Sequence, residues 1–365
     1  MNEDGFHVMN EINKIIVLRF RRVGDSVIST VLCSSLKKTF PKAEIHYVLN
    51  ANIAPLFENH PDIDKIIRFT NDDMRTLPVY LAKVKRIMKE GKYDMIVDTR
   101  STIKTLWFSL FSMKTPYRIG EKKAYNLLLH NYRTSIEGVI DGVTKILLLL
   151  KPLEKIFNIQ YERNFKVYVT DTEKARFRIK MTESGIDFSR PVILCAVSAR
   201  LKHKIWNPDN MKSIFWKIIE KYHAQLIFNF GGNEEKDFAL LFHREMGNHP
   251  DIFTNIEAND LRELAAMLTF SDFFFGNEGG PRHIAQAINV PGFAIYPPET
   301  SKAEWLPNAS ERFQGIEPSD VSIQANNKEL SFSEKFDLIT VDAVWERLDP
   351  MLETFLGTCN GSNIK

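Results

Sequence analysis

Cysteine is scarce in this 365-residue chain, and apolar runs of membrane-spanning length are missing. The cysteines, Cys33, Cys195 and Cys359, are odd in number, and the first two lie in apolar periodic segments. Buried thiols in a reducing compartment are therefore expected rather than disulfides or a metal site. The leucine-rich run at residues 146–150 is flanked by lysines, whereas a spanning helix needs about 20 apolar residues. Residues 1–13 contain no signal-peptide core, which predicts a cytoplasmic protein.

Common cofactor motifs are absent as well. The sequence contains no GxxxxGK[ST] loop, no GxGxxG behind the first predicted strand, and no HExxH or CxxC spacing. These absences argue against dinucleotide binding, P-loop phosphoryl transfer and zinc hydrolysis.

Apolar strand-like segments alternate with amphipathic helices through both halves of the chain, which indicates parallel sheets covered by helices on both faces. Helices are predicted over residues 26–38, from an Asn207 cap followed by Pro208, from Asp260 to Leu268, and over residues 341–355. The predicted strands cover residues 14–20, 44–49, 65–69, 94–98 and 117–119 in the first half, and residues 192–197, 225–230, 252–254, 273–275 and 293–296 in the second.

The expected fold class is α/β, with two Rossmann-like, doubly wound domains facing a cleft. The boundary is expected within residues 160–190, where a strand-like segment at residues 165–169 gives way to polar sequence. In open α/β sheets, ligands bind beyond the carboxyl ends of the strands, so functional residues are expected in the loops there. The predicted organisation is an N-terminal domain over residues 1–170, a C-terminal domain over residues 171–340, and a C-terminal helix and tail over residues 341–365.

The most informative segment is Gly-Asn-Glu-Gly-Gly-Pro-Arg-His at residues 276–283, which follows the apolar run Phe273-Phe274-Phe275. A strand that leads into a glycine turn and then a helix start directs backbone N–H groups at one point beyond the sheet. This pattern predicts an anion site that involves Gly279 and Gly280. The alternative is a plain strand-to-helix turn with proline at the first helical position.

Asp25 follows the first predicted strand, at the point where a helix begins. The sequence allows two roles for its carboxylate. It can cap the helix, or it can act as a general base that takes a proton from an acceptor hydroxyl. Both roles are compatible only if one carboxylate oxygen stays available.

Two loops of the second half carry further candidates for ligand binding. Ser198 and Lys204 follow the strand at residues 192–197, and a lysine there is a point charge suited to phosphate, although an ordinary loop lysine is the alternative. Glu234 follows the Gly231-Gly232 turn, where a carboxylate can accept hydrogen bonds from ribose hydroxyls.

Residues 83–133 are strongly basic, with 12 Lys/Arg against 4 Asp/Glu. A solvated helix face is one explanation. A nucleic-acid groove is disfavoured because neither an aromatic-interleaved strand motif nor a recognition helix accompanies the charge. An anionic small molecule or lipid surface fits at least as well, and the acceptor-side candidates are Arg21, Arg22, Arg100, Lys104 and Arg118.

In their order along the chain, residues 19–25, 41–49, 60–64, 204–206, 231–232 and 276–283 resemble motifs of glycosyltransferase family 9, the lipopolysaccharide heptosyltransferase family. The resemblance spans about residues 14–307. It implies GT-B architecture, with the acceptor mainly on the first domain, the sugar nucleotide mainly on the second, and neither a metal nor a dinucleotide cofactor.

The resemblance also implies residue roles. The family's base falls on Asp25, and its phosphate-binding lysine falls on Lys204 of a Lys-x-Trp motif. The family commonly reads Asn-Asp-Thr-Gly-Pro-x-His in the anion loop, so Gly280, Pro281 and His283 carry over. Glu278 and Gly279 replace the Asp-Thr pair and bear on the identity of the sugar. Together with the loop candidates Ser198 and Glu234, these correspondences place the donor at Lys204, Glu278, Gly279, Gly280 and His283.

The expected activity is inverting, metal-independent transfer of a heptose from ADP-heptose to a lipopolysaccharide-core acceptor, at the inner face of the cytoplasmic membrane. The expected partners are thus a nucleoside-diphosphate sugar and an anionic lipid-linked glycan, with no nucleic acid. One alternative is a transferase of the same architecture that uses another sugar nucleotide, or a capsule or glycoprotein acceptor. Another is a non-catalytic protein that binds a nucleotide sugar.

Overall fold

A computed structural model describes residues 11–357 of the chain. Within it, two compact units form, one from residues 11–139 with 143–165 and the other from residues 166–357 with 140–142. The prediction for Cys359 lies outside the described residues, whereas Cys33 and Cys195 are buried free thiols. No helix within residues 11–357 is long and apolar enough to cross a membrane.

The first unit is built on a six-stranded parallel sheet of order β3-β2-β1-β4-β5-β6. Its strands are β1 (Lys14–Leu18), β2 (Glu44–Asn50), β3 (Lys65–Phe69), β4 (Met95–Asp98), β5 (Tyr117–Glu121) and β6 (Tyr132–Thr134). Along the same part of the chain, the helices are α1 (Val23–Ile28), α2 (Thr30–Thr39), α3 (Leu77–Gly91), α4 (Ile103–Leu110) and α5 (Gly142–Leu147).

The helix predicted over residues 26–38 is divided at Ser29 into α1 and α2. The Ser29 hydroxyl donates to the carbonyl oxygen of Asp25 at 2.8 Å, and the Thr30 hydroxyl donates to that of Val27 at 2.8 Å. Hydroxyl side chains that bond to preceding carbonyls compete with the regular helical pattern. The apolar period of this segment gives no sign of that competition.

The second unit repeats the topology, with a six-stranded parallel sheet of order β12-β11-β10-β7-β8-β9. Its strands are β7 (Val192–Ala196), β8 (Gln225–Phe228), β9 (Ile252–Phe253), β10 (Phe273–Asn277), β11 (Gly292–Ile295) and β12 (Phe313–Ile316). Its helices are α6 (Asp171–Glu183), α7 (Pro208–Tyr222), α8 (Asn233–Glu245), α9 (Leu261–Leu268), α10 (Gly280–Ala287), α11 (Lys302–Trp305), α12 (Pro318–Val321), α13 (Phe332–Asp337) and α14 (Val341–Leu356).

Capping side chains fix the starts of two helices as predicted. The Asn207 side chain accepts from the backbone of Asp209 and Asn210 at the start of α7, and Asp260 accepts from Arg262 and Glu263 at the start of α9. Such caps satisfy N–H groups that have no partner inside the helix.

Aromatic packing closes the core of the second unit. The Phe215 ring on α7 lies 5.8 Å from that of Phe275 on β10, centroid to centroid. The apolar face of α14, including Leu348 and Leu352, is buried in the same core. The helix predicted as a separate C-terminal segment is therefore part of the second unit.

Residues 165–169, predicted as strand-like, form no strand. Phe165 and Val167 are buried, so their alternation reflects packing, and the Val167 amide donates to the Ala287 carbonyl rather than to a sheet. Conversely, the edge strands β6 and β12 were not predicted, because most of their residues are only half-buried and lack a clear apolar run.

Candidate functional site

Each sheet has a point where the strand order reverses. In the first unit it lies between β1 and β4, and in the second between β7 and β10. Loops that leave neighbouring strands in opposite directions open a crevice there, which is where doubly wound sheets bind ligands. The predicted base follows β1, and the predicted anion loop follows β10.

Asp25 is the third residue of α1, and its side chain does not cap the helix. Its Oδ1 instead pairs with the Arg19 guanidinium, and the Asp25 side chain is only 12% exposed. Within residues 11–357 no hydrogen bond engages Oδ2. The capping alternative is therefore wrong, and one carboxylate oxygen remains available at the strand edge.

Arg19, which the sequence did not single out as a site residue, fixes the Asp25 carboxylate. Its Nη1 donates to the Thr99 carbonyl at 3.4 Å and to the Thr99 hydroxyl at 3.3 Å. The buried guanidinium thus joins the residue after β1 to the residue after β4. Its position directly after an apolar strand is the sequence feature that could have identified Arg19 as a site residue.

Further basic residues surround Asp25. Arg21 and Arg22 are exposed and have positive φ angles of 71° and 44°, which bend the chain between β1 and α1. Strained backbone of this kind is common at ligand sites. Arg100 donates to the Phe20 carbonyl at 3.3 Å, and burial and then the neighbouring Arg19 lower its pKa. This edge therefore suits an anionic ligand.

The other two acceptor-side candidates lie in different environments. Lys104 is exposed on α4, with its Nζ 5.2 Å from the centre of the Tyr80 ring. Arg118 is buried, and its guanidinium donates to the carbonyls of Leu129 at 2.8 Å, Met113 at 2.9 Å and Thr115 at 2.5 Å. The prediction that Arg118 faces an acceptor is wrong because backbone carbonyls engage this cation inside the unit.

Asp98 and His130 form a buried pair beside the β1/β4 switch point. The Asp98 Oδ1 accepts from the backbone of Arg100 at 3.0 Å and Ser101 at 2.9 Å, while Oδ2 lies 3.7 Å from His130 Nε2. Burial raises the pKa of Asp98 to about 6, and burial together with nearby Arg118 and Arg133 lowers the pKa of His130 to about 4. Through the two hydrogen bonds at Oδ1, Asp98 holds the loop that carries Arg100.

These two groups give opposite pH dependences of the free energy of unfolding. The raised pKa of Asp98 stabilises the fold below about pH 4, and that stability is lost as pH rises to about 6. The lowered pKa of His130 does the reverse, so stability grows as pH rises from about 4 to 6.5.

Variants that keep only one of the two groups should separate these dependences. In His130→Gln, where Asp98 remains, we expect the free energy of unfolding in urea to fall between pH 4 and 6. In Asp98→Asn, where His130 remains, we expect it to rise, and each slope should reach at most about 1.4 kcal/mol per pH unit. Equal slopes in the two variants would contradict the assignment.

In the second unit, Asn277 joins the loops at the β7/β10 switch point. Its Nδ2 donates to the carbonyls of Ala196 at 3.1 Å and Val197 at 3.0 Å, and its Oδ1 accepts from the Trp206 backbone at 2.9 Å. Gly276, with φ 143°, permits this approach, because a Cβ there would lie 2.4 Å from the Ala196 carbonyl oxygen. One buried side chain thus sets the relative position of the two loops that follow β7 and β10, a role that the sequence analysis did not assign to Asn277.

Ser198 and the Gly231-Gly232 turn meet through a carboxylate. The Ser198 hydroxyl donates to Glu235 Oε2 at 2.9 Å, and the Gly231 amide donates to the same oxygen at 3.0 Å. Glu234, the predicted ribose partner, is exposed at the start of α8. The carboxylate held at this edge is therefore Glu235, one residue further along the chain.

Lys204 ends a short 3₁₀ turn, Lys202–Lys204, beyond β7. Its ammonium donates to the Thr300 hydroxyl at 3.3 Å, and it is close enough to Glu278 to help lower the pKa of that carboxyl. The buried Trp206, two residues later, anchors the segment by donating its indole N–H to the Ile339 carbonyl at 3.0 Å. The position of Lys204 is therefore set by the bond of its ammonium to Thr300 and by the anchored Trp206.

The anion loop begins α10, with Gly279 at the N-cap and Gly280 as the first helical residue. Helix starts present N–H groups without intrahelical partners. Next to them, Glu278 Oε1 lies 3.4 Å from Nε2 of the buried His283. Burial raises the pKa of Glu278, but the bond to His283 and the charges of His283, Arg282 and Lys204 outweigh burial and lower it. Glu278 is thus held as a carboxylate.

The described residues 11–357 contain no group of three or more His, Cys, Asp or Glu side chains placed to hold a metal ion. Residues suited to bind a phosphate do occur, namely Lys204 and the glycine turn before α10. They belong to the same switch point of the second sheet.

Known proteins share this chain's sequence pattern and fold. The family model described as glycosyltransferase family 9 (heptosyltransferase) matches residues 81–329. Lipopolysaccharide heptosyltransferase 1 of Campylobacter coli is 22% identical over 288 residues, which cover 78% of this chain and 83% of that protein. The crystal structure of a family 9 glycosyltransferase from Veillonella parvula DSM 2008 superposes with a TM-score of 0.79 at 16% identity, covering 94% of this chain and 98% of that one.

E. coli ADP-heptose lps heptosyltransferase II superposes with a TM-score of 0.72 at 19% identity, covering 93% of this chain and 99% of that one. At identities of 16% and 19%, these solved structures show the fold alone. The predicted GT-B architecture, with two doubly wound α/β units, is confirmed.

Proposed function

We propose that this chain, which belongs to glycosyltransferase family 9 (heptosyltransferase), transfers a heptose from ADP-heptose to a lipopolysaccharide-core acceptor with inversion and without a metal ion. The observation that carries the proposal is the uncommitted Oδ2 of Asp25, held at a switch point and surrounded by arginines. A carboxylate so placed suits proton abstraction from a hydroxyl of an anionic acceptor.

In the proposed reaction, Oδ2 of Asp25 takes the proton of the acceptor hydroxyl. The hydroxyl oxygen forms a bond to the anomeric carbon of the donor sugar, and the bond from that carbon to the diphosphate breaks on the opposite face. Arg19 keeps the carboxylate oriented through Oδ1. Exposed Arg21 and Arg22, half-buried Arg100, and Lys104 attract the negative charges of the acceptor.

The departing nucleoside diphosphate gains negative charge as the bond breaks. Lys204 and the backbone N–H groups of Gly279 and Gly280 would stabilise that charge, supported by His283. Fixed donors of this kind lower the barrier because they need no reorganisation during the reaction. Ser198 and the neighbouring turn, with Glu234, would contact the nucleoside.

Glu278 is proposed to contact the hydroxyls of the donor sugar. Its carboxylate is charged, and it belongs to the anion loop, directly before Gly279. We expect Glu278→Gln to lower kcat/KM with the true donor by about 10- to 100-fold, because a charged hydrogen-bond acceptor is lost, while the Kd of bare ADP stays within about threefold. Steady-state kinetics and calorimetry measure the two quantities.

The matched control for this variant is Glu245→Gln, which removes a carboxylate paired with Lys212 at the end of α8. It should leave both constants unchanged. Equal weakening of ADP and of the sugar nucleotide by Glu278→Gln would show that Glu278 does not contact the sugar.

The departures at Glu278 and Gly279 favour one competing proposal, a transferase for another activated sugar or for a capsule or glycoprotein acceptor. A donor screen with the full-length protein separates the two. ADP-heptose, UDP-sugars and GDP-sugars are incubated with deacylated lipopolysaccharide core, and the released nucleoside diphosphate is measured. We expect ADP release only with ADP-heptose and acceptor together, and donor binding without turnover would instead indicate a non-catalytic protein.

The proposed place of action is the inner face of the cytoplasmic membrane, with the protein peripheral to it and without a nucleic-acid partner. The basic character of residues 83–133 supports this proposal, because anionic headgroups attract such segments.

A further inference from the structure

The loop between β5 and β6, residues 122–131, exposes an apolar apex. Tyr125 is 57% exposed, Leu127 58% and Leu128 80%. Single exposed leucines are ordinary, but a contiguous apolar group on a loop indicates an interaction surface.

This loop is held in place by internal hydrogen bonds. The buried Asn126 donates to the Glu121 carbonyl at 2.8 Å and accepts from the Lys123 amide at 3.2 Å. The His130 amide donates to the Asn126 carbonyl at 3.0 Å, and Arg118 donates to the Leu129 carbonyl at 2.8 Å. The leucines are therefore presented outward by a braced loop.

The apolar apex adjoins the edge of the first sheet where arginines surround Asp25, which is the proposed acceptor edge. The Tyr125 hydroxyl donates to the Ser101 carbonyl at 2.8 Å, which ties the loop to the segment just before α4. There Ile103 is 73% exposed, and Lys104 follows it. Ser101 also belongs to the loop that carries Arg100. The apolar side chains thus lie at the same carboxyl edge as the arginines around Asp25.

The charge around the apex is positive. Residues 120–133 contain Lys122, Lys123 and Arg133 against a single acid, Glu121, and Glu121 pairs with Lys123 at 2.5 Å. Lys122 and Lys104 are exposed beside the apolar residues. A partner of this surface must accept leucine side chains and carry negative charge.

We infer that the 122–131 loop, together with Ile103, docks the protein on an anionic lipid bilayer. Leu127 and Leu128 enter the boundary between headgroups and acyl chains, Tyr125 lies at headgroup level, and Lys122 and Lys104 contact lipid phosphates. The inference rests on the proposed function, because a lipid-linked acceptor would lie in that bilayer beside the acceptor edge.

A bilayer fits this surface better than a second protein does. A stable protein interface takes about 20–30 residues from each partner, whereas this surface offers four apolar side chains, three on one loop and Ile103 at the start of α4. Small apolar apices flanked by lysines suffice for a membrane surface, since insertion and attraction to headgroups add together. A second copy of the chain is the alternative that the test must separate.

The test is co-sedimentation of the full-length protein with phosphatidylcholine/phosphatidylglycerol vesicles. We expect Leu127→Ser/Leu128→Ser to reduce vesicle partitioning by about tenfold or more, because two apolar side chains no longer insert. The matched control is Leu240→Ser/Leu241→Ser, a neighbouring pair on α8 that is 41% and 48% exposed. The control should bind like wild type, and binding should weaken with salt and on pure phosphatidylcholine.

Wild-type binding by the Leu127/Leu128 variant would overturn the inference. So would a wild-type dimer in sedimentation velocity that the variant loses, since the apex would then join two copies. Turnover of the deacylated, water-soluble core is measured separately, and the variant should keep the wild-type kcat there. Vesicle binding without any turnover would refute the proposed function alone, and turnover with unchanged vesicle binding in the variant would refute the docking alone.

Discussion

Asp25→Asn is expected to lower kcat by about 10²- to 10⁴-fold, the usual contribution of a general base, with little change in donor Kd. The substitution keeps the shape of the side chain, and an amide oxygen can still accept from Arg19. What it removes is the proton-accepting capacity of Oδ2. Single-turnover kinetics with saturating donor measure the chemical step, and calorimetry measures donor binding.

A structural role for Asp25 predicts a different pattern. Asp25 pairs with a buried guanidinium, so its loss can also lower stability. Asp73→Asn is the matched control, because Asp73 pairs with Lys83 at 2.6 Å in the same unit with its side chain 23% exposed. We expect both variants to lose similar amounts of thermal stability, whereas only Asp25→Asn loses turnover. Near-wild-type kcat in Asp25→Asn would show that the residue only holds Arg19.

The strands could be predicted wherever burial on both faces produces a continuous apolar run. The predicted strand at residues 192–197 covers β7, whose five residues are all buried, and the run Phe273-Phe274-Phe275 falls within β10. The edge strand β6 escaped because none of its residues is fully buried. The strand predicted at residues 165–169 is wrong for the opposite reason. Phe165 and Val167 are buried and produce an alternating pattern, but they do not pair in a sheet.

The positions of the candidate site residues follow from strand order, which the sequence conveys only in part. Turn chemistry marks Gly279 and Gly280 directly. Contacts between distant loops do not show in local sequence, because Asn277 reaches Ala196 only once β7 and β10 are neighbours. Arg19 and Glu235 were missed for the same reason. Their partners become visible only in the folded sheet.

Composition also does not reveal whether a charged side chain is buried inside the unit or exposed to a partner. Arg118 counts toward the basic excess of residues 83–133, yet its guanidinium serves three backbone carbonyls inside the unit. Lys122, in the same segment, is exposed beside the apolar apex. A net charge from sequence therefore overstates the charge that a partner meets.

Lys204→Ala is expected to lower kcat by about 10²- to 10³-fold, the effect of removing one fixed donor from a developing negative charge. Lys204 is anchored by Trp206 on one side and by its bond to Thr300 on the other, so the ammonium is already positioned before ligand arrives. The Kd of ADP should rise by about tenfold as well, since a charged hydrogen bond to phosphate is lost. Lys202→Ala is the matched control, because Lys202 is an exposed lysine of the same 3₁₀ turn.

Chelation separates Lys204 from the usual alternative for leaving-group stabilisation. If Lys204 and the amides of Gly279 and Gly280 carry the charge, activity with excess EDTA should equal activity with magnesium. Added magnesium should also fail to rescue Lys204→Ala, because no carboxylate cluster is available to hold the ion next to the diphosphate within residues 11–357. A strict requirement for magnesium or manganese in the wild type would refute this assignment. Equal losses in the Lys202→Ala and Lys204→Ala variants would show instead that the turn supplies only general positive charge.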